Sequence, residues 1–413
     1  MCALVACERA LFFQHLFSPE RYLLIMNAAP VNCAPVNTAP TRKIWLVHGS
    51  YTGGHASAAK ALQQALSEEP GVQADVINIA DMSRSPLPMS TSAEKALKGG
   101  KLVNRLRAWW FEQNFKGNPL TYFVTNAAMR TEGMFSEAFL ARVEREKPDV
   151  IVSTMSATNA LLSAWKGQGK LHVPLHSVVT DFSSHRIWAQ ENIDHYYVAG
   201  HAARADLERF GVDPHRIEET GIPISPSFAG PSRDPAEVRK SLGLDPTRAT
   251  LLLMGGSLGY ASFAPVLQAL DTLQIPFQAV AITGRNTAAR EELEKMHFQH
   301  PVHVEGFVNN MADWADAADI VITKPGGLTT SELLARGRPM IIADPLPGLE
   351  ELMVDRVADT GAAIPVHGHD ELVSTTARLL GDDAARGTLQ QAARQAGHRD
   401  AAAVVAQRVL ADA

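Results

Sequence analysis

The chain has 413 residues, enough for two ordinary domains, with 46% hydrophobic and 20% charged residues, the makeup of a soluble globular fold. A formal net charge of −6 argues against nucleic acid as a partner. Three cysteines, Cys2, Cys7 and Cys33, all sit in the first segment without C-x-x-C spacing, so neither a structural metal nor a redox centre is expected from them.

The opening MCALVACERALFFQHLFSPERYLLIMNAAP is interrupted by Glu8, Arg9, Glu20 and Arg21, which makes it a poor signal peptide. It falls short of the ~20 apolar residues that span a bilayer. It reads either as an amphipathic surface helix or as residues upstream of a translation start at Met26. APVNCAPVNTAPT follows as a proline-rich tether, so the folded body is expected from about Arg42, with residues 1–41 a flexible or amphipathic extension.

From there the chain alternates strands and helices. Ile44 to Val47 is a short apolar strand. Ala56 to Leu66 carries Ala58, Ala59, Leu62 and Leu66 near one helical face, and Val72 to Ile79 is a second strand. Between these elements lies HGSYTGGH, in which Gly53 and Gly54 permit a tight turn and His55 opens the helix. A histidine there can take a proton from a hydroxyl near neutral pH, and the positive helix end favours its neutral form. A turn or cap role for His55 is the plainer alternative.

KALKGGKLVNRLRAWWFEQNFKG mixes Lys95, Lys98, Lys101, Arg105, Arg107 and Lys116 with Trp109, Trp110 and Phe111. Leu102, Leu106, Trp109 and Trp110 fall near one helical face. Cations beside aromatics suit an anionic membrane surface, although the tryptophans would equally serve a core. PDVIVSTM, VPLHSVVTDF and DHYYVAG are buried-strand patterns, and Ala202 to Phe210 is helical. Asp181 and His185, in VVTDFSSHRIW, are the groups to watch beside His55. Asp181 sits at a strand end, where it can orient a histidine, bind a sugar hydroxyl or cap a helix.

The proline- and serine-rich passage GIPISPSFAGPSRDPAEVRKSLGLDPTRAT reads as a linker with a short helix. TLLLMGG, FQAVAITG, VHVEGF, DIVITK and RPMIIAD then give five further strands, each ending on glycine or a polar residue. This cadence predicts an α/β fold of two halves with mostly parallel sheets and ligands outside the carboxyl ends of the strands. The boundaries expected are 42–225 for an acceptor-side domain, 226–249 for the linker and 250–413 for a donor-binding domain.

Gly255 to Gly259 and Gly326 to Thr329 are turns whose backbone N–H groups can receive a diphosphate. Within them Gly256, Ser257, Leu258, Gly326, Gly327, Leu328 and Thr329 are candidate donor-binding residues, with Gly54 opposite. Lys324 adds charge or is a solvated flank. Glu332, inside the next helix, can accept from a ribose diol. Gly306, Phe307 and Val308 close a strand where backbone groups can read a base edge. Glu350 and Glu351 can accept from hexose hydroxyls or supply an acidic first helical turn. The sequence has no D-x-D pair of the kind that bridges a diphosphate through a metal, so no metal or resident cofactor is expected.

Together GGHASAAKAL, VVTDFSSHRIW and the run from Gly306 to Glu351 resemble the family of monogalactosyldiacylglycerol synthases and bacterial processive diacylglycerol glucosyltransferases. That family is related to the enzyme that adds N-acetylglucosamine to the lipid-linked peptidoglycan precursor. The resemblance runs from about Lys43 to about Ala363. It implies two Rossmann-like domains facing a central cleft, the GT-B glycosyltransferase type. It also implies inverting transfer of glucose or galactose from a UDP-hexose co-substrate to diacylglycerol or another lipid, at the cytoplasmic face of a membrane.

By that resemblance His55 is the base, Gly255 to Gly259 and Lys324 to Thr329 approach the diphosphate, Glu332 holds ribose, and Gly306 to Val308 lie by uracil. The family pattern P-G-Q-E-x-x-N departs here: Leu349 replaces the glutamine and Met353 the asparagine. Neither can make an amide's hydrogen bonds to sugar hydroxyls. The alternatives implied are N-acetylglucosaminyl transfer to a polyprenyl-linked acceptor and a catalytically silent lipid- or nucleotide-binding protein.

Overall fold

The computed structural model describes residues 41–50, 53–82, 101–132, 137–256, 262–343, 345 and 349–413. The expected extension, and with it Lys95, Lys98, Ser257, Leu258 and Gly259, lies outside the described residues. Thr41–Ala413 forms one compact unit.

In chain order its first half comprises β1 (Arg42–His48), α1 (Gly54–Ser67), β2 (Val72–Asn78), α2 (Lys101–Phe115), α3 (Pro119–Glu132) and α4 (Glu137–Glu146). It continues with β3 (Val150–Ser153), α5 (Ser156–Gly167), β4 (Leu175–Val178), β5 (His195–Val198), α6 (His201–Arg209) and β6 (Ile217–Glu219). The bridging passage carries α7 (Pro226–Ala229) and α8 (Pro235–Ser241). Then come β7 (Thr250–Met254), α9 (Phe263–Leu270), β8 (Gln278–Ile282), α10 (Thr287–Leu293), β9 (Val302–Glu305), α11 (Met311–Ala317) and β10 (Ile320–Thr323). The last elements are α12 (Gly327–Ala335), β11 (Met340–Ile342), α13 (Leu349–Ala358), β12 (Ala363–Pro365), α14 (Gly368–Gly381), α15 (Asp383–Ala396) and α16 (Ala401–Ala411).

The strands form two six-stranded sheets, ordered β2-β1-β3-β4-β5-β6 and β12-β11-β10-β7-β8-β9. Every pairing is parallel, as in Ile44↔Val150 and Leu252↔Val280. Parallel sheets are covered on both faces, which is why β1, β3, β7 and β10 are continuous apolar runs with almost no exposed residue. In each sheet the strand order reverses once, between β1 and β3 and between β7 and β10. Ligands in open parallel sheets collect at such switch points. The loops after β1, β7 and β10 carry the glycine signatures, so the topology alone brings them to the two switch points.

The linker expectation changes in one respect. Ile224, Phe228, Val238 and Leu244 are buried in a core cluster with β7, β8 and β10. The passage is therefore part of the second half's packing, with Asp234 capping α8 by accepting from Glu237 N–H. The far end also departs from the expected boundary. Val405, Ala406 and Val409 of α16 pack with Ile44, Leu46, Leu62 and Val150 of the first half. The apolar stripe of α1 and the face of β1 need a cover, and the last helix supplies it.

Candidate functional site

His55 stands at the first turn of α1. Gly53 holds φ of 97°, a left-handed conformation open to glycine, and no side chain caps the helix. His55 Nδ1 lies 2.9 Å from the Thr154 carbonyl oxygen and 2.8 Å from Thr180 Oγ1. A carbonyl oxygen only accepts, so Nδ1 carries the proton and Nε2 keeps its lone pair. Thr154 closes the clasp by donating its hydroxyl to the His55 carbonyl at 2.9 Å. Thr154 follows β3 and Thr180 follows β4, neighbours in the sheet.

Asp181 is not the group that orients His55. Its Oδ2 accepts from Trp188 Nε1 at 2.9 Å, and the residue is buried. The indole consumes the carboxylate because both belong to the loop after β4, which folds back on itself. His185 in the same loop is buried, and burial pushes its pKa down. Thr154 and Thr180, which the sequence reading passed over, take the orienting place. Their only signal was position: both are polar residues at carboxyl ends of buried strands.

The second half presents α12. It starts at Gly327 behind Gly326, again without a side-chain cap, so the N-cap residue offers its first-turn N–H groups no side-chain acceptor. A Cβ on Gly327 would come 1.9 Å from the Thr180 carbonyl oxygen, and one on Gly54 would come 3.3 Å from Leu328 Cβ. The two glycine signatures therefore touch. Leu328 and Phe182 pack with Ala58, Ala199 and Ile222 along this seam. Thr180 serves both sides, with its hydroxyl on His55 and its backbone against Gly327.

Lys324 is buried rather than a solvated flank, with Nζ 3.4 Å from Glu350 Oε1. Glu351, one position on, is exposed. Glu332 lies four residues after Leu328 and so on the same helical face. Burial raises its carboxyl to about 8. Thr329 is half-buried in the first turn of α12, and Gly256 is exposed just after β7. Gly306 closes β9; Phe307 is 54% exposed with the Arg285 guanidinium 5.3 Å from its ring centroid, and Val308 packs against the core. Met353, the family's asparagine position, is buried.

The expected aromatic patch is present in altered form. Trp110 donates Nε1–H to Thr125 Oγ1 at 2.8 Å and ties α2 to α3. Of the large apolar side chains exposed among the described residues, all but Phe307 lie on these helices: Leu106, Trp109, Leu120, Phe123 and Val124. Arg105 is exposed beside them. The three residues on α3 were not recognised from sequence. No helix among the described residues is long and apolar enough to cross a membrane.

Residues 55–224 match the family model described as monogalactosyldiacylglycerol (MGDG) synthase. Residues 250–402 match the glycosyltransferase family 28 C-terminal domain. The processive diacylglycerol beta-glucosyltransferase of Bacillus subtilis is 28% identical over 347 residues, 83% of this chain and 88% of that protein. The Bacillus pumilus protein of the same name is 27% identical over the same shares. Among solved structures, MurG of Acinetobacter baumannii is 16% identical with a TM-score of 0.55, covering 90% of this chain and 100% of that one. Anabaena HepE in complex with UDP and glucose is 13% identical with a TM-score of 0.55, covering 90% and 99%.

The fold is that of the two-domain GT-B glycosyltransferases, with both switch-point loops meeting in one seam. The two halves are similar, respectively, to the monogalactosyldiacylglycerol synthase model and to the glycosyltransferase family 28 C-terminal domain, the chain is similar along most of its length to diacylglycerol glucosyltransferases, and it is an enzyme of glycosyl transfer.

Proposed function

We propose that this enzyme transfers a hexose from a UDP-hexose to the free hydroxyl of diacylglycerol, with inversion. The observation that carries the reading is the shared Thr180. Its hydroxyl holds the His55 ring, whose tautomer the Thr154 carbonyl sets, and its backbone seats the amino end of α12 in the same place. His55 Nε2 takes the acceptor's proton as its oxygen attacks the anomeric carbon. The bond to UDP breaks on the opposite face, and UDP leaves with the electron pair. An α-linked donor thus gives a β-linked product through an oxocarbenium-like transition state.

Charge developing on the leaving diphosphate is met by the first-turn N–H groups of α12, the Gly256 turn and Lys324. No metal is assigned to this step. Glu332 receives the ribose hydroxyls, and Gly306, Phe307 and Val308 flank uracil. Phe307, exposed and backed by Arg285, offers a ring on which a base stacks. The hexose faces Glu350 and Glu351 without the family's asparagine, which is here a buried methionine. The acceptor arrives along α2 and α3, whose exposed apolar residues enter an anionic membrane surface at the cytoplasmic face. The closed seam keeps water from the donor.

The test is incorporation of labelled glucose, galactose or N-acetylglucosamine from the UDP-sugars into diacylglycerol in anionic liposomes. Glycosylated diacylglycerol from a UDP-hexose is expected. Product formed only on a polyprenyl-linked acceptor, or no turnover on either, overturns the proposal.

A further inference from the structure

On the far side of the first sheet from the seam, three residues converge that the transfer reaction does not use. His176 of β4 and His195 of β5 are direct register partners in parallel strands, so their side chains leave the same face. Their ring centroids are 4.9 Å apart. They lie toward the amino ends of the strands, whereas Thr180 and the seam lie beyond the carboxyl ends. Four residues of extended chain separate His176 from Thr180, about 13 Å. Asp412 comes from the other end of the sequence. It caps α16, whose Val405, Ala406 and Val409 lie on this sheet.

Asp412 Oδ2 sits 3.1 Å from His176 Nε2 and 3.1 Å from His195 Nε2. Each residue offers one ligand atom, and all three atoms fall within 4.8 Å of one another. Tetrahedral zinc with bonds of about 2.0–2.1 Å has ligand atoms about 3.3 Å apart along each edge. The two carboxylate–imidazole separations are close to that edge.

A hydrogen-bonded cluster accounts poorly for His176. Its Nε2 is sealed from solvent and makes no hydrogen bond, although a carboxylate oxygen is in reach. Its Nδ1 lies 2.9 Å from Tyr197 Oη. A phenol can donate or accept; in the tautomer where Nδ1–H donates to that oxygen, Nε2 keeps a lone pair beside the carboxylate, and a cation between the two atoms would take both. An imidazole whose second nitrogen is held by an outer hydrogen bond is the usual form of a metal-bound histidine. Asp194, beside His195, is already engaged by Lys166 and by Leu175 N–H.

We propose that His176, His195 and Asp412 form a site for a divalent transition cation of the zinc type, which clips α16 to the first sheet. Two imidazoles and one carboxylate select such a cation over the oxygen-seeking Ca2+ and Mg2+. His195 and Asp412 have side chains 44% and 39% exposed, which leaves the fourth position to water. The clip is structural. It fastens the helix by which the chain returns from the second half to the first.

The test uses the whole chain without a histidine tag, stripped with EDTA and titrated with Zn2+ by calorimetry, alongside thermal unfolding with and without the metal. One Zn2+ per chain is expected, with a rise in Tm. His195→Ala and Asp412→Asn, both at partly exposed positions that leave the core intact, should each weaken binding at least tenfold and abolish the Tm rise. His55→Ala, in the seam, should bind Zn2+ as the wild type does. Absence of Zn2+ binding by the wild type overturns the site. So does binding that survives both substitutions, or that is lost with His55. A Tm loss in His195→Ala of equal size with and without Zn2+ overturns it as well, because the trio is then a hydrogen-bonded clip.

Discussion

The glycine turns after β1 and β10 each flank the switch point of their own sheet, yet they are built for opposite tasks. The turn after β1 aims one titratable side chain, and two threonines from neighbouring strand ends hold that ring in a single tautomer. The turn after β10 aims backbone: an uncapped helix end with a buried lysine behind it. A proton acceptor must be one atom at one place, so it needs a side chain with fixed partners. A leaving diphosphate carries diffuse charge, and several N–H dipoles answer it without any one being decisive. The first turn should therefore fail sharply on mutation of one side chain. The second should fail when its backbone is pushed away from its neighbour.

The largest effect should come from His55→Ala. Loss of a general base costs about 10²–10⁴ in rate, so kcat should fall by about a thousandfold. UDP affinity, measured by calorimetry, should stay within about twofold because the donor is held by the other half. Loss of UDP binding in this variant would show that the division between the halves is wrong.

Gly327→Ala tests the opposite side. A methyl group 1.9 Å from the Thr180 carbonyl oxygen cannot be accommodated without parting the seam. Alanine itself suits the first turn of a helix, so α12 should remain intact. Activity should fall about a hundredfold, with UDP bound nearly as before. Wild-type kcat in this variant would mean that the contact is not part of the working state.

Much of this contrast was legible in the sequence, and the part that was not has a physical cause. Ten strands were readable, most of them because strands buried on both faces are unbroken apolar runs. β6 and β12 escaped notice: Ile-Glu-Glu and Ala-Ile-Pro are three residues each and carry charge or proline. VPLHSVVTDF reads as one strand, but β4 stops at Val178 and the remainder leaves the sheet to carry Thr180 into the seam. His55 was conspicuous for its glycines. Its partners were not, since Thr154 and Thr180 are 99 and 125 residues away and meet it only because β3 lies between β1 and β4. Asp181 drew attention because carboxylates often orient histidines, and only the fold shows it spent on Trp188. For α16, the buried positions Ala401, Val405 and Val409 mark an apolar face, but nothing local says which sheet it covers.

A smaller effect separates chemistry from delivery. Leu120 and Phe123 are each 70% exposed on α3 and take no part in the seam's hydrogen bonds given above. Replacing both by serine should reduce sedimentation with anionic liposomes, and activity on liposomal diacylglycerol, by about tenfold, since burying each apolar side chain is worth on the order of 1.5–3 kcal/mol when complete. Activity on a short-chain, dispersed diacylglycerol should be unchanged. Equal losses on both substrates would assign these residues to the acceptor pocket.

The finest test concerns Glu332, a titratable group on the backbone-built side. Burial raises its carboxyl from 4.5 to about 8. The folded state therefore binds this proton more tightly than the unfolded chain does between those values. Its stabilising contribution is full below about pH 4.5 and is lost as pH rises through about 8. Ribose hydroxyls, by contrast, donate to the carboxylate, so UDP affinity should rise as pH climbs through the same range, by about tenfold from pH 6.5 to 8.5. Glu332→Gln should flatten both dependences. Its Tm should exceed that of the wild type by a few degrees at pH 8.5 and by little at pH 5, while its UDP affinity stays low and level. A wild-type affinity that is independent of pH would place the ribose away from Glu332. The gain in stability at high pH should survive that result, because it depends on burial alone.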